Sequence, residues 1–345
     1  MNISVAVACD IDKDGDLDLF VGGRSVPQNY GVIPDSYFYS NDGHGKFSAA
    51  ATVKIGMVTD AVFADITGDK QKELVVVGEW MSPKIFSFTG NKPVEIKTNL
   101  SGLNGWWQSV AAADLDGDGD NDIVLGNTGE NCYLKPDVEK PVRLWISDFD
   151  QNGTLDKIIT RTVDKKDVPV FLKRELTEQM PSLKKQNLRF SEYAKKSIQD
   201  LFSKEVVTKA AVYEFNYCAS CIATNQGGGK FDIDKLPVNA ELSSVNAILC
   251  TDINKDGRTD LLMGGNQFYF QPQFSRLDAS FGDLLLNKGN NQWDWVMPAR
   301  SGFELRGEIK KIISLPSLSG DKILVLQNDE LPVLYQVKEI NRKKL

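Results

Sequence analysis

Four nine-residue segments carry oxygen side chains at positions 1, 3, 5 and 9 and glycine at position 6. They read Asp10-Ile-Asp12-Lys-Asp14-Gly-Asp16-Leu-Asp18, Asp114-Leu-Asp116-Gly-Asp118-Gly-Asp120-Asn-Asp122, Asp148-Phe-Asp150-Gln-Asn152-Gly-Thr154-Leu-Asp156 and Asp252-Ile-Asn254-Lys-Asp256-Gly-Arg258-Thr-Asp260. Such density suits a hard cation, because calcium takes roughly 6–8 oxygen ligands at about 2.3–2.6 Å. In a tight turn the side chains at positions 1, 3 and 5 converge, position 9 adds an acid, and position 7 (Asp16, Asp120, Thr154, Arg258) offers its backbone carbonyl. Glycine at position 6 takes a conformation that a side chain resists. Without an ion, carboxylates this crowded repel one another. The spacing therefore predicts up to four structural Ca2+ sites.

The elements around the loops decide which kind of calcium loop this is. An EF-hand needs a bidentate Glu at position 12 and flanking helices, but position 12 holds Val21, Leu125, Ile159 and Met263. The following runs, such as Leu17-Asp-Leu-Phe-Val-Gly-Gly23 and Thr259-Asp-Leu-Leu-Met-Gly-Gly265, are short, aliphatic and closed by glycine, as buried strands are. A degenerate copy, Asp65-Ile-Thr67-Gly-Asp69-Lys-Gln71-Lys-Glu73, keeps the strand but has Lys70 where the others have glycine. A sixth remnant at Pro316–Lys322 precedes Ile323-Leu-Val-Leu. A second motif, Asn41-Asp-Gly-His-Gly-Lys-Phe47, recurs at Asn225–Phe231 and Asn287–Trp293 and reads as a hairpin turn. A strand pair around each motif makes a four-stranded unit of roughly 50 residues, the pattern of a propeller blade.

On these residues the chain resembles the FG-GAP/VCBS repeats of integrin-α-type β-propellers. It is also similar to the bacterial (Bacteroidetes-type) VCBS-repeat proteins associated with ASPIC/UnbV modules, a likeness that Gln179–Lys185, Ile198–Phe202, Gln271–Phe274, Asp278–Gly282 and Arg300–Phe303 extend. The resemblance implies an all-β fold: a β-propeller of four-stranded blades with calcium loops over residues 1–337, and a C-terminal tail at 338–345. It also implies an exported protein (outer-membrane surface, periplasm or extracellular) that binds a protein or glycan ligand, with further domains of a longer parent chain as partners. The chain starts on a strand with no signal peptide of its own, so we expect a fragment of such a protein.

One segment breaks the blade rhythm. Residues 168–208 read as a helical insertion, with a helix stopped at Pro181 and another capped by Ser191, whose apolar side chains Tyr193, Ala194, Ile198, Leu201 and Phe202 share a face. It holds eight Lys/Arg against five acids, in a chain of net charge −7. The insertion is read as a solvated cap or as a partner-docking element, and a basic RNA-binding role is a second alternative. The acidic balance of the whole chain argues against general nucleic-acid binding, and no apolar run is long enough for a membrane helix.

Catalysis finds little support. His44, in a glycine-rich turn, is the sole histidine, which leaves little room for a His-based triad. There is no phosphate loop or nucleophile elbow. Five cysteines include Cys218-Ala-Ser-Cys221, without a second pair to complete a zinc site. Trp106 and Trp107 are the first choices for a sugar-stacking surface, which would make the chain the accessory carbohydrate-binding domain of a polysaccharide-active enzyme. The leading expectation is a calcium-stabilised binding or adhesion module that is not an enzyme.

Overall fold

The computed structural model describes residues 1–186, 189–269, 276–315 and 321–337. The 316–320 remnant, the Gln271–Phe274 stretch and the tail at 338–345 lie outside these residues. The chain is mostly β, built of four-stranded antiparallel sheets. The first sheet holds Asn2–Cys9, Asp18–Ser25, Ser36–Asn41 and Phe47–Val53. The second holds Met57–Ala64, Glu73–Met81, Lys84–Thr89 and Lys92–Ile96, with Gly105–Trp106 added beside its second strand. The third is Ser109–Ala113, Asp122–Gly126, Cys221–Asn225 and Phe231–Lys235. The fourth is Val245–Thr251, Asp260–Gly265, Asp283–Asn287 and Trp293–Val296. The fifth has three described strands, Glu308–Leu315, Lys322–Asn328 and Val333–Gln336.

The sheets stack face to face in chain order because their second strands are apolar on both faces. Successive side chains of a strand point to opposite sides. Leu74 and Val76 thus pack towards the first sheet, while Val75 and Val77 pack towards the third. Likewise Val124 faces the fourth sheet and Ile123 the second, and Leu262 faces the fifth. The first strands lie side by side, and the stack curls around them. Lys311 of the fifth sheet reaches Asp60 of the second at 3.7 Å, and Asp60 also accepts from the Val110 N–H of the third at 3.1 Å.

The interruption of the repeat is wider than the helical segment. The third sheet pairs Leu125 with Cys221, so everything between them is an insertion into one sheet. It contains its own four-stranded sheet, ordered Lys166–Pro169, Asp156–Val163, Val142–Ser147, Ala211–Phe215. The short helices between Lys173 and Lys209 cover this sheet through Trp145, Phe149, Ile158, Leu176, Met180, Ile198 and Leu201. The helix Lys173–Gln179 ends before Pro181 as the sequence suggests. Ser191 is not a cap: it lies within Phe190–Tyr193, whereas Ser197 caps Ile198–Leu201 in a reciprocal bond with Asp200. Ser197 can do this because its side chain is next to an acid three residues on, as a capping box requires.

Both feet of the insertion are fastened to the third sheet by Glu241. Its buried carboxyl accepts from Ser220 N–H at 2.9 Å and from Glu130 N–H at 3.2 Å. Its backbone carbonyl accepts from Asn131 N–H at 3.1 Å. Burial, followed by the nearby Glu130 charge, pushes the carboxyl up to about 8. Between the ordinary value of 4.5 and about 8 the folded chain therefore holds a proton that the unfolded chain releases. Stability from this group is complete below that window and is lost as pH rises through it, at up to about 1.4 kcal/mol per pH unit. Urea melts between pH 5 and 8 should show this decline for the native chain and a flatter profile for Glu241→Gln.

Candidate calcium loops

The loops are held open by their own backbone. At position 1, one carboxylate oxygen accepts from an N–H three or four residues on and the other from the position-6 glycine; for Asp10 these are Lys13 at 2.8 Å and Gly15 at 3.2 Å. Asp114 takes Gly117 and Gly119, Asp148 takes Asn152 and Gly153, and Asp252 takes Asp256 and Gly257. The position-6 glycines have φ between 86° and 97°: Gly15 96°, Gly119 97°, Gly153 86°, Gly257 91°. Lys70 of the degenerate copy takes φ 69° there instead, in a region that disfavours side chains.

Position 9 is the buried anchor. One oxygen of Asp18, Asp122, Asp156 and Asp260 accepts from the position-2 N–H (Ile11, Leu115, Phe149, Ile253) at 2.9–3.0 Å. The other reaches the second motif: Asp18 accepts from Asn41 N–H at 3.0 Å, Asp122 from Asn225 at 2.8 Å and Asp260 from Asn287 at 2.9 Å. All four acids are at most 2% exposed. Burial raises the pKa of Asp122, Asp156 and Asp260, an effect that a bound cation would oppose. The degenerate copy keeps the device with Glu73, which accepts from Ile66 and Thr67 N–H.

Three loops bring their acids together. In Asp10/Asp12/Asp18, Asp114/Asp116/Asp122 and Asp148/Asp150/Asp156, one carboxylate oxygen from each acid lies within 4.8 Å of the others. The convergent set is thus positions 1, 3 and 9. Position 5 is directed in part at the backbone: Asp14, Asp118, Asn152 and Asp256 each accept the N–H two residues on, those of Asp16, Asp120, Thr154 and Arg258. In the third loop Asp150 Oδ1 is buried with no hydrogen-bond partner among the described residues. An orphaned carboxylate oxygen beside two further acids fits a divalent cation. The fourth loop differs. Arg258 lies on Asp256 at 2.6 Å and Asn254 Nδ2 donates to the same oxygen at 3.2 Å, so its own side chains occupy that acid.

The third loop also sits apart from the repeat, joining two strands of the inserted sheet. Its anchor Asp156 has no hairpin asparagine and instead accepts from Gln179 Nε2, on a covering helix, at 3.1 Å. Phe149 at position 2 packs on Phe202, ring centroids 4.6 Å apart. This contact between the loop and the helices carries no local sequence signal.

Trp106 and Trp107 do not form a sugar platform. Trp107 is fully buried and donates to Leu103 O at 3.1 Å. Trp106 is 8% exposed, stacked on Phe215 at 4.8 Å and edge-on to Trp80. Their faces are spent on packing the second sheet against its neighbours. The Cys218 and Cys221 thiols are pushed up to about 12, chiefly by burial, which disfavours the free thiolate that redox chemistry needs.

Comparison with known proteins places these loops. A family model described as an FG-GAP-like repeat matches residues 10–76 and 65–125, so the chain carries FG-GAP-like repeats spanning the first, degenerate and second loops. No curated protein matches the chain. Among solved structures it is similar to Sqt1 of Saccharomyces cerevisiae, at 10% identity and TM-score 0.39, over 93% of this chain and 69% of that one. Sqt1 of Chaetomium thermophilum gives 12% identity and TM-score 0.38, over 93% and 66%. The Vibrio cholerae biofilm matrix protein Bap1 gives 10% and 0.33, over 96% and 76%. These likenesses are loose and identify no ligand.

Two substitutions separate anchor from ligand. Asp122→Ala strands two buried N–H groups and should lower stability by about 2–5 kcal/mol even without cation, read by urea melts in chelator. In the third loop, Asp148→Asn should leave calcium unable to slow hydrogen exchange in residues 173–209, whereas Asp114→Asn should leave that protection intact.

Proposed function

We propose that the chain is a calcium-stabilised β-propeller module of the FG-GAP type, which binds a protein or glycan ligand and performs no chemistry of its own. The observation that carries this reading is the set of three acidic triads on repeated strand-to-strand loops, two of them within the stacked sheets and overlapping the FG-GAP-like matches. The stack curls around its first strands, with Lys311 and Asp60 joined across two intervening sheets, as blades around an axis would be. The cation would be held by Asp10, Asp12 and Asp18, by Asp114, Asp116 and Asp122, and by Asp148, Asp150 and Asp156, and would neutralise their mutual repulsion. Loops with few protein ligands belong to the weak-affinity class of calcium sites, with Kd of about 0.1–1 mM in extracellular modules, which fits an exported protein.

Topology supports one face for the ligand. Acidic loops join first to second strands, so they share one edge of the stack. Connections from second to third strands emerge on the other edge, and there the third sheet releases its insertion. Insertions on a repeat scaffold gather on the binding face, so the inserted sheet and its helices are where a partner would be met. The carbohydrate-accessory reading loses its first-choice aromatics with Trp106 and Trp107 buried.

Thermal melts test the cation: a tenfold excess over Kd adds about 1.4 kcal/mol per site, so Tm should rise by a few degrees in about 10 mM calcium and fall back in chelator. An unchanged melt refutes it. A glycan array and a panel of surface proteins, run beside a polysaccharide-cleavage screen, test the rest. Binding without turnover is expected, and turnover by the purified chain would overturn the non-enzymatic reading.

A further inference from the structure

The hairpin asparagines link neighbouring sheets, and one of these links is missing. Asn225 of the third sheet donates its side-chain amide to Ile66 O, at position 2 of the second sheet's loop, at 2.8 Å, and to Asn121 O of its own loop at 3.2 Å. Asn287 of the fourth sheet repeats this on Leu115 O of the third at 2.7 Å and its own Thr259 O at 3.1 Å. Their side-chain oxygens accept from Gly227 and Gly289. Asn41 of the first sheet has only the bond to its own loop, Leu17 O at 3.2 Å. Its side-chain oxygen is buried with no partner among the described residues. Its Nδ2 also lacks, among the described residues, the neighbouring sheet's carbonyl that Asn225 and Asn287 bind.

The faces agree. Second strands of the second, third and fourth sheets are buried throughout. In the first sheet Phe20 is buried towards the second sheet, while Leu19 and Val21 are only half-buried, facing outward beside Ala6, Ala8, Tyr37 and Tyr39. At the other end, Ile323 and Val325 pack on the fourth sheet, leaving Leu324 and Leu326 half-buried and Leu334 55% exposed on the outward side. Among the described residues no core cluster joins the fifth sheet to the first. The described residues thus present two apolar faces, one of the kind that follows a sheet and one of the kind that precedes it.

We propose that these two faces meet between copies of this chain, the outward face of the fifth sheet packing head-to-tail on the outward face of the first. The contact continues the sheet-on-sheet packing already present four times in the stack, and offers Asn41 the backbone carbonyl that Asn225 and Asn287 have. Each face measures only about 20 Å by 20 Å, from strand spacing and rise, so the pair belongs with small, weak and transient interfaces. A heterologous contact of this kind grows unless it closes.

Sedimentation velocity on the whole chain, over a concentration series reaching the highest soluble concentration, tests it. The weight-average mass should rise with concentration. Tyr37→Glu and Leu334→Glu, each placed on an outward face, should each sediment as monomers with unchanged melting. An equimolar mixture of the two should recover a two-chain species that does not grow, because each variant keeps one intact face. A wild type that stays monomeric, a Leu334→Glu variant that still self-associates, or a mixture that remains monomeric overturns the proposal.

Discussion

The buried aspartate at position 9 is the constraint on which the structure depends. Its two oxygens close the acidic loop onto its own second residue and bind the first N–H of the hairpin turn. The asparagine bearing that N–H then reaches the neighbouring sheet. One charged side chain thus ties together the loop, its hairpin and the next sheet in the stack. A charge so fully buried is tolerable only when each oxygen is matched by donors, and here backbone N–H groups supply them. The degenerate copy shows the order of importance. It has Thr67 at position 3 and a lysine at the glycine position, but Glu73 keeps the bonds to its own loop, and the strand that follows is buried throughout.

Much of this was legible in the sequence, because it is local. Nine-residue spacing fixes the loops, aliphatic runs fix the second strands, and Asn-Gly turns fix the hairpins; all appear where expected. The coupling between the two motifs was not legible, since Asp122 and Asn225 are far apart in the chain and nothing local marks them as partners. The third loop was misleading for the same reason. Its spacing matches the others, but its strands pair only with each other and with segments inside the insertion. Spacing also favoured position 5 as a ligand, whereas backbone N–H groups compete for that side chain. Trp106 and Trp107 illustrate a different gap: an aromatic pair in a sequence does not tell which neighbour will cover it, and Phe215, Trp80 and Leu103 do so here.

The insertion changes what the scaffold can do. A helix-covered sheet with its own acidic loop, clasped at both ends by Glu241, is a small folded unit mounted on a larger one. The scaffold's loops connect to sheets, whereas the mounted loop connects to helices through Gln179. The same chemical motif therefore serves rigidity in one setting and the docking of a helical cover in the other.

Because Leu125 pairs with Cys221, the third sheet cannot be completed when its second strand leaves the ribosome. Roughly a hundred residues must be made first, which at about 5–20 residues per second is some 5–20 seconds of synthesis. For that interval Ile123-Val-Leu125 presents unpaired backbone on one edge. The inserted sheet, whose strands pair entirely within the intervening segment, is free to form during the wait. The order of translation therefore places the guest before its host, and the closing of the host sheet becomes the event that fastens a finished unit in place.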